Sequence, residues 1–260
     1  MKYVAISGAA FALCMPSLAL AQDDDSGPYI GLSGGLVLPG DSSNSGEFDA
    51  DVPATEDFGE IPAETPLGWE TDFDNGFAIS GQAGYKLSNG FRVELQGDYN
   101  EYDVGTHTGL TVGETDIDAS DVAILTRGAA DDANPTVGAV IADGQGQVKN
   151  FGLFTNAFYD LNRGGTIQPY VGAGVGYQWT DVEFSPSGVD VADDDDGAFA
   201  YQLMAGASVA VSESFDLFAQ YTYRDTFGDA DIPLNLVPAT LGVESQQSIV
   251  SAGVRVKLGG

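Results

Sequence analysis

The stretch from Thr166 to Trp179 constrains the fold more than any other part of the chain. Ile167, Val171 and Val175 belong to an apolar set at every second position, and the positions between them hold mainly glycine, glutamine and tyrosine. Successive side chains of a β-strand point to opposite faces, so this pattern predicts a strand with one apolar face and one small, polar face. Such a strand either packs on a second sheet or turns its apolar face to lipid in a membrane barrel.

The first residues have the three parts of a secretory signal peptide. Lys2 is positively charged, an apolar run from Val4 to Leu18 follows, and Ala19-Leu20-Ala21 is a small-residue cleavage site before Gln22. No later stretch approaches the roughly 20 consecutive apolar residues that a transmembrane helix needs. The sequence therefore predicts export, and we expect any membrane crossing to use strands.

Composition limits the partners and the means of stabilisation. The formal net charge is −30, from 39 acidic and 9 basic residues. Nucleic-acid binding needs a basic surface, so we expect no nucleic-acid partner, whereas divalent cations and basic partners are compatible with this charge. Cys14 is the only cysteine and lies in the predicted signal peptide. The exported domain must then be held together by hydrogen bonds and packing, and we interpret its acidity as a means to solvate long loops.

Seven further segments alternate in the same way, which predicts eight strands in total. Tight turns are expected at Ser88-Asn89-Gly90, at Asn162–Gly165 and at Ser212–Ser214. The predicted strands are Pro28–Leu38, Asp72–Leu87, Phe91–Tyr102, Val148–Leu161, Thr166–Trp179, Ala198–Val211, Phe215–Arg224 and Gln246–Leu258. The long polar connections are Pro39–Glu70, Asp103–Gln147, Asp181–Gly197 and Asp225–Ser245. Alternating long and short connections are typical of an up-and-down barrel in an outer membrane.

The longest connection, Asp103–Gln147, has some apolar content at its centre. Val122–Leu125 and Val137–Ile141 are short apolar runs within an otherwise polar segment. Runs of this length bounded by turn residues are consistent with strands. We therefore predict a small strand pair above the barrel.

The polarity of the two faces distinguishes a membrane barrel from a soluble one. A soluble barrel of the lipocalin type also has eight strands, but its apolar face lines a cavity and its outside is charged. Here the apolar face carries aromatic residues suited to a bilayer girdle, namely Phe73, Tyr85, Phe91, Tyr99, Tyr159, Tyr177, Trp179, Phe199, Phe215, Tyr221 and Tyr223. The other face carries small polar residues that fit a crowded interior. The sequence therefore predicts an all-β fold, an eight-stranded antiparallel up-and-down transmembrane β-barrel.

Several segments resemble the eight-stranded outer-membrane β-barrel proteins of the OmpA-like and Opa-like kind, a porin-like fold family. They are Pro28–Gly35 (PYIGLSGG), Asn156–Leu161 (NAFYDL), Pro169–Tyr177 (PYVGAGVGY), Tyr201–Ser208 (YQLMAGAS) and the AQYTYR segment ending at Arg224. The resemblance implies residence in the cell outer membrane, contact with its lipid and lipopolysaccharide, and insertion by the barrel-assembly machinery. The expected division is residues 1–21 as signal peptide, 22–27 as acidic leader and 28–260 as barrel domain.

The chain departs from this family at its last residues. The family usually ends in an aromatic residue that the assembly machinery reads, whereas this chain ends Val256-Lys257-Leu258-Gly259-Gly260. We therefore expect Leu258 or an internal strand to provide the assembly signal.

Charges of both signs fall on the inward face of the predicted strands. The basic members are Lys86, Arg92, Arg224, Arg255 and Lys257, and the acidic members are Glu94, Asp98, Asp160 and Asp216. They would form either the charged constriction of a channel or an ion-pair network that closes the lumen. An eight-stranded barrel leaves little room for a water path, so we predict the closed network. Its expected members are Arg92, Glu94, Asp98, Asp160, Arg224 and Arg255.

Other candidate sites are weaker. His107 is the only histidine, and the serine and carboxylate partners of a rim enzyme have no distinctive spacing around it. Glu114–Asp121 and Asp193–Asp196 offer oxygen ligands for Ca²⁺ but lack the glycine and glutamate of an EF-hand loop. We predict no catalytic residue, no enzyme activity, no cofactor and no dedicated metal site, with weak cation binding at acidic loops as an alternative.

The favoured function is that of an integral outer-membrane barrel with a closed polar lumen and long acidic external loops. It would serve envelope structure and surface interaction. One alternative is a small porin-like channel for ions or small solutes, including a conduit for hydrophobic solutes. A further alternative is a lipid-modifying rim enzyme that depends on His107.

Overall fold

The computed structural model describes residues 26–162 and 165–258, which are mostly antiparallel β-strands. The strands in chain order are β1 Gly27–Pro39, β2 Ser42–Phe48, β3 Pro66–Phe73, β4 Gly76–Lys86, β5 Phe91–Val112, β6 Thr115–Asp116, β7 Gly146–Asp160, β8 Ile167–Phe184, β9 Ala192–Ala210, β10 Phe215–Thr226, β11 Ala230–Pro233, β12 Ala239–Val243 and β13 Gln247–Lys257. The helices are α1 Ala123–Thr126 and α2 Val137–Ile141, with a single 3₁₀ turn at Pro186–Gly188. The predicted signal peptide lies outside the described residues.

Eight of these strands form a closed antiparallel ring. The order is β1, β4, β5, β7, β8, β9, β10 and β13, and β13 pairs with β1 to complete it. At the closing position Leu32 of β1 lies opposite Val254 of β13 and Gly81 of β4. Closure lets the backbone N–H and C=O groups of every strand form hydrogen bonds with a neighbouring strand. A sheet inside a membrane requires this because no water is present there to pair with an open edge. The predicted eight-stranded barrel is confirmed.

The outer face of the ring is apolar. In β8 the side chains of Val171 and Val175 are exposed, whereas those of Tyr170 and Gln178, which belong to the opposite parity, are buried in the lumen. On β1 and β9, Leu32 and Phe199 are 64% and 69% exposed. Large apolar side chains that remain exposed around a closed barrel match a surface in contact with lipid. None of the described helices has the length and apolar character needed to span a membrane.

Short turns and the described chain ends lie at one end of the ring. The turn between β4 and β5 contains Gly90, whose φ of 91° is a left-handed conformation that glycine adopts without strain. The other short turns join β7 to β8 and β9 to β10. The turn expected at Asn162–Gly165 contains residues 163 and 164, which lie outside the described residues. In barrels of this type the short turns face the periplasm and the long connections face the outside.

The long connections fold into a layer over the outer end of the ring. We call this layer the cap, and it consists of residues 40–75, 103–146, 184–192 and 227–246. Its sheet has the order β11, β12, β2, β3, and β3 pairs with the outer half of β5. Its core contains Val137, Phe184, Ile232 and Leu241, each fully buried. The cap therefore covers the outer mouth of the barrel as a packed unit.

The expectation that these connections are irregular loops is wrong in several places. Pro39–Glu70 contains β2 and the start of β3, and the acidic run Asp193–Asp196 belongs to β9. The predicted strand Asp72–Leu87 is two strands, because the chain leaves the sheet at residues 74 and 75. Phe73 consequently packs on Tyr102 in the cap, with ring centroids 5.2 Å apart, instead of joining a lipid-facing girdle.

The predicted strand pair at the centre of the longest connection is also wrong. These residues form the short helices α1 and α2. The side chain of Thr136 caps α2 by accepting a hydrogen bond from the backbone N–H of Ala139. Val137 and Ile141, four residues apart, then place their side chains on one helical face in the cap core.

Candidate functional site: the barrel lumen and the cap cavity

The lumen is filled by side chains from every ring strand. Glycines on β8 leave the space for them, since a Cβ at Gly174 would collide with the Asn156 amide and one at Gly172 with the Phe158 ring. Small residues at these inward positions therefore let larger polar and aromatic side chains reach across a narrow barrel.

Arg224 on β10 lies at the centre of the lumen and is fully buried. Its Nη1 donates to Asp98 Oδ2 at 2.6 Å, and its Nε and Nη2 donate to Gln202 Oε1 at 3.2 and 2.9 Å. The guanidinium carbon lies 4.2 Å from the centroid of the Phe154 ring. A carboxylate, an amide and an aromatic face thus replace the water that a buried guanidinium has lost.

An amide network joins this centre to the neighbouring strands. Gln202 Nε2 donates to Asn156 Oδ1 at 2.7 Å and to Gln96 Oε1 at 3.1 Å. Asn156 Nδ2 also donates to Gln96 Oε1, at 2.8 Å. Side chains from β5, β7, β9 and β10 are therefore connected in one hydrogen-bonded layer.

A second charged layer lies toward the short-turn end. Arg92 Nε is 3.0 Å from Asp160 Oδ1, and Lys86 Nζ is 3.3 Å from Asp160 Oδ2. The Arg92 guanidinium lies between the rings of Phe158 and Tyr170, at 4.7 and 4.6 Å from their centroids. Lys257 Nζ lies 3.3 Å from Asp216 Oδ1 nearer the mouth.

The remaining two members of the predicted set have different partners from those expected. Glu94 accepts a hydrogen bond from the Tyr29 hydroxyl at 2.8 Å. Arg255 lies 4.1 Å from the Phe218 ring centroid, and its Nη2 donates to the Tyr170 hydroxyl at 3.3 Å. The ion-pair network expected from the sequence does not include these aromatic partners. The one indication of them in the sequence is that each aromatic residue falls at an inward position of its strand.

Toward the cap the polar filling ends in an amide layer. Gln178 Nε2 donates to Asn150 Oδ1 at 3.0 Å and to Ser245 Oγ at 2.8 Å. Asn150 Nδ2 donates to Asn100 Oδ1 at 3.0 Å. Beyond this layer the buried side chains become apolar, beginning with Val148, and continue into the cap core.

The cap contains an apolar cavity of about 90 Å³. His107, on the outer half of β5, lines it and is 3% exposed. Its Nδ1 is 2.8 Å from the Thr71 hydroxyl, and its ring packs edge-on to Phe184 with centroids 4.9 Å apart. Burial lowers the pKa of His107 from 6.5 to about 4, although the nearby carboxylate of Asp143 acts in the opposite direction. The ring is therefore neutral near pH 7.

Acidic side chains outside the barrel serve mainly as backbone acceptors. Asp118 accepts from the N–H groups of Gly109 and Leu110. Asp121 accepts from Ala123 and Asp131, and these hydrogen bonds lower the pKa of its carboxyl. Within residues 26–162 and 165–258 no group of three potential metal-binding side chains is close enough to hold an ion.

Comparison with known sequences identifies the family. Residues 7–255 match the family described as outer membrane protein beta-barrel domain. An outer membrane protein of Gluconacetobacter diazotrophicus is 27% identical over an alignment of 230 residues, and the match covers 84% of this chain and 51% of that protein. The chain thus spans about half the length of this curated relative.

Two solved structures are similar to this chain, and the first of them supports the fold. The outer membrane protein OprG of Pseudomonas aeruginosa is 16% identical, with a TM-score of 0.55 over 90% of this chain and 98% of that chain. Neisserial surface protein A is 19% identical, with a TM-score of 0.43 over the same two fractions. Because the family match covers most of the sequence, the chain belongs to the outer membrane protein β-barrel domain family and resides in the outer membrane.

Proposed function

We propose that this protein is a non-conducting barrel that holds a folded acidic cap at the cell surface. The observation that supports a closed lumen is the environment of Arg224, which is fully buried between Asp98, Gln202 and Phe154. The charged and polar groups of this layer are paired with one another. A permeating solute would have to break these contacts and replace them with its own. The work of the protein is then done by the rigid barrel in the envelope and by the cap outside.

The proposal includes three kinds of partner. The apolar outer face of the ring contacts membrane lipid and the lower part of lipopolysaccharide. The barrel-assembly machinery inserts the chain. Divalent cations bridge exposed carboxylates, such as the run Asp193–Asp196 on β9, to lipopolysaccharide phosphates.

We infer that the protein is not an enzyme. His107 is enclosed by aromatic rings, and its Nδ1 faces the Thr71 hydroxyl instead of a carboxylate. A histidine general base needs an exposed neighbouring nucleophile and an orienting acid. This environment supports a structural or binding role for the ring.

A small channel is the second candidate. A cavity of about 60 Å³ at the short-turn mouth is lined by Arg92 and Lys257, and one of about 20 Å³ lies beside Arg224. A solute path would have to join these spaces through the amide layers. Permeation therefore requires movement of the side chains that the proposal treats as fixed.

Liposome swelling separates the two candidates. Liposomes containing the refolded protein should swell in arabinose no faster than protein-free liposomes. The double variant Arg224→Ala/Phe154→Ala, which removes the two largest central side chains, is the positive control and should swell faster. Rapid swelling with the unaltered protein would contradict the closed lumen.

A second experiment tests the surface role. Replacing all four aspartates of Asp193–Asp196 by asparagine should reduce the Mg²⁺-dependent binding of proteoliposomes to lipopolysaccharide. Because these side chains are at or near the surface of β9, heat-modifiable gel migration should remain that of the folded barrel. Unchanged binding would remove this segment from the proposal.

A further inference from the structure

A pocket with a mixed polar and apolar lining lies at the short-turn end of the lumen, opposite the cap. We call it the mouth pocket, and its lining includes the basic residues Lys86, Arg92, Arg255 and Lys257. The chain has only 9 basic residues against 39 acidic ones, so this concentration of positive charge around one pocket is unusual. The volume of about 60 Å³ gives room for about four to six water-sized groups.

The carboxylates that line this pocket among the described residues are Asp160, Asp216 and Glu213. Asp160 forms ion pairs with two of the basic side chains, and Asp216 forms one with Lys257. Glu213 is exposed on the turn between β9 and β10, where water and salt screen its charge. Within residues 26–162 and 165–258, no carboxylate forms an ion pair with the remaining cation, Arg255.

Arg255 is held by aromatic rings and keeps hydrogen-bond donors unused. It is 5% exposed, and its guanidinium carbon lies 4.1 Å from the ring centroid of Phe218 and 5.1 Å from that of Tyr170. The one hydrogen bond that the guanidinium donates to the described part of the chain is to the Tyr170 hydroxyl, at 3.3 Å. Its other N–H groups are not sealed from solvent, in contrast to the two Nη atoms of Arg92. The pocket therefore contains a guanidinium with donors that an anion could reach.

We propose that the mouth pocket binds a small oxyanion, such as inorganic phosphate, with Arg255 as its main contact. A guanidinium offers parallel N–H donors that match the oxygens of a phosphate or a carboxylate. Lys86 and Lys257 line the same space and add positive potential, and the neighbouring rings exclude water, which strengthens the attraction between opposite charges. The four oxygens of phosphate also match the room in the pocket. Exposed acidic residues more than about 10 Å away oppose binding only weakly, because salt screens them.

This site goes beyond the proposed surface role and does not depend on it. An anion that enters from the short-turn side reaches Arg255 without crossing the central layer at Arg224. Binding therefore requires neither an open nor a closed lumen. In barrels of this type the short turns face the periplasm, so the ligand is a periplasmic anion.

Arginine side-chain signals provide a direct test. The exported chain, labelled with ¹⁵N-arginine and refolded in lipid nanodiscs, is titrated with sodium phosphate while sodium chloride keeps the ionic strength constant. The Nε–H signal of Arg255 should shift and saturate. The signals of Arg224, in the closed central layer, and of Arg127, in the cap, should not saturate with the same affinity. Equal saturable shifts of Arg127 and Arg255, or the same shift of Arg255 with chloride alone, would overturn the proposal.

Variants locate the binding, with equilibrium dialysis of radiolabelled phosphate as the measure of affinity. Arg255→Gln should weaken binding about tenfold or more, because it removes hydrogen bonds from a charged donor. Glu213→Gln removes a negative charge from the rim and should tighten binding about twofold. Glu114→Gln, the same substitution at an exposed position in the cap, is the matched control and should leave the affinity unchanged.

Heat-modifiable migration shows which variants are folded. Unaltered affinity in a folded Arg255→Gln protein would overturn the proposal. If that variant does not fold, the comparison of Glu213→Gln with Glu114→Gln decides, and equal affinities of these two would also overturn it.

The acidic residues that precede the pocket in the chain need their own control. Asp23, Asp24 and Asp25 come directly before Ser26, which lines the pocket. Their replacement by asparagine should leave the affinity for phosphate within about twofold of the parent, since they act only as screened charges. Phosphate binding that appears only in this triple variant would show that these carboxylates occupy the pocket, and the proposal would be wrong.

Discussion

Arg224 is a full positive charge placed at the centre of a narrow barrel, and its surroundings explain why it is tolerated there. Asp98 neutralises the charge, Gln202 accepts two of its N–H groups, and Phe154 covers one face of the guanidinium. Replacing a buried ion pair by apolar residues is often harmless, but removing one partner leaves an isolated buried charge. Removing one residue of a buried ion pair in the lumen should therefore destabilise the barrel more than removing both charges.

We expect Arg224→Ala to lower the free energy of unfolding by about 3–5 kcal/mol, since it leaves the Asp98 carboxylate buried and unpaired. Urea unfolding in detergent, followed by heat-modifiable gel migration, measures the change. The double variant Arg224→Ala/Asp98→Asn should be less destabilised than the single variant, because no buried charge remains.

Arg92→Ala provides a graded comparison. In this variant Asp160 would keep its ion pair with Lys86 at 3.3 Å. We therefore expect Arg92→Ala to lower the free energy of unfolding by less than Arg224→Ala does. An unchanged urea midpoint for Arg224→Ala, or a double variant as unstable as the single one, would contradict the paired network.

The buried His107 should make the stability of the cap depend on pH. Burial lowers its pKa in the folded state from 6.5 to about 4. Between these two pH values the unfolded cap binds a proton that the folded cap does not, so cap stability falls as the pH drops through this window and is fully present above pH 6.5. Tryptophan emission of Trp69, in a Trp179→Phe background, should report cap opening at pH 4.5 relative to pH 7.

The matched control for this effect is His107→Phe in the same background. Carboxylates titrate in both proteins, so the difference between them isolates the histidine. Between pH 7 and 4.5 the Trp69 emission of the His107→Phe control should change less than that of the parent protein. Equal changes in both would show that acidic side chains alone cause the opening.

At the scale of the strand, the inward glycines of β8 are packing positions. A Cβ at Gly176 would collide with the backbone oxygen of Leu153 and the Phe154 ring, whereas one at Gly97 on the outer face of β5 meets nothing within 4 Å. We expect Gly176→Ala to destabilise the barrel by about 1–3 kcal/mol through overpacking. Gly97→Ala should leave the urea midpoint unchanged or slightly higher. A lower midpoint for Gly97→Ala than for Gly176→Ala would contradict the packed lumen.

The barrel strands were predictable because each has one face in lipid and one in the lumen, a two-residue period visible over ten or more residues. The cap elements lacked such a signal. β2 buries the polar residues Ser42 and Asn44, which hydrogen-bond to each other, so no apolar alternation marks it. The helices α1 and α2 span four and five residues, too short for a helical period to be distinguished from a strand.

The candidate site was predictable in its members but not in its pairing. Alternation alone put Arg224 and Asp98 on the inner face. They lie 126 residues apart on β10 and β5, which are not neighbours in the ring, so their contact depends on the shear and register of the whole barrel. The contact between His107 and Thr71 likewise depends on the register of β3 with β5.

For the whole molecule, the proposed arrangement separates three environments. Apolar side chains face lipid, paired polar side chains fill the lumen, and most of the acidic residues lie toward water outside the membrane. The cap covers the outer mouth with its own apolar core. Taken together, these features support a barrel that presents a surface and does not pass solutes.

Single-channel current across a planar bilayer tests this account most directly. The refolded protein should give no discrete openings, while heat-modifiable migration of the same sample shows that the barrel is folded. The variant Arg224→Ala/Phe154→Ala, with its central layer removed, should give openings under the same conditions. Stable, cation-selective openings from the unaltered protein would contradict the account and would place a constriction at Arg92, Arg224 and Arg255.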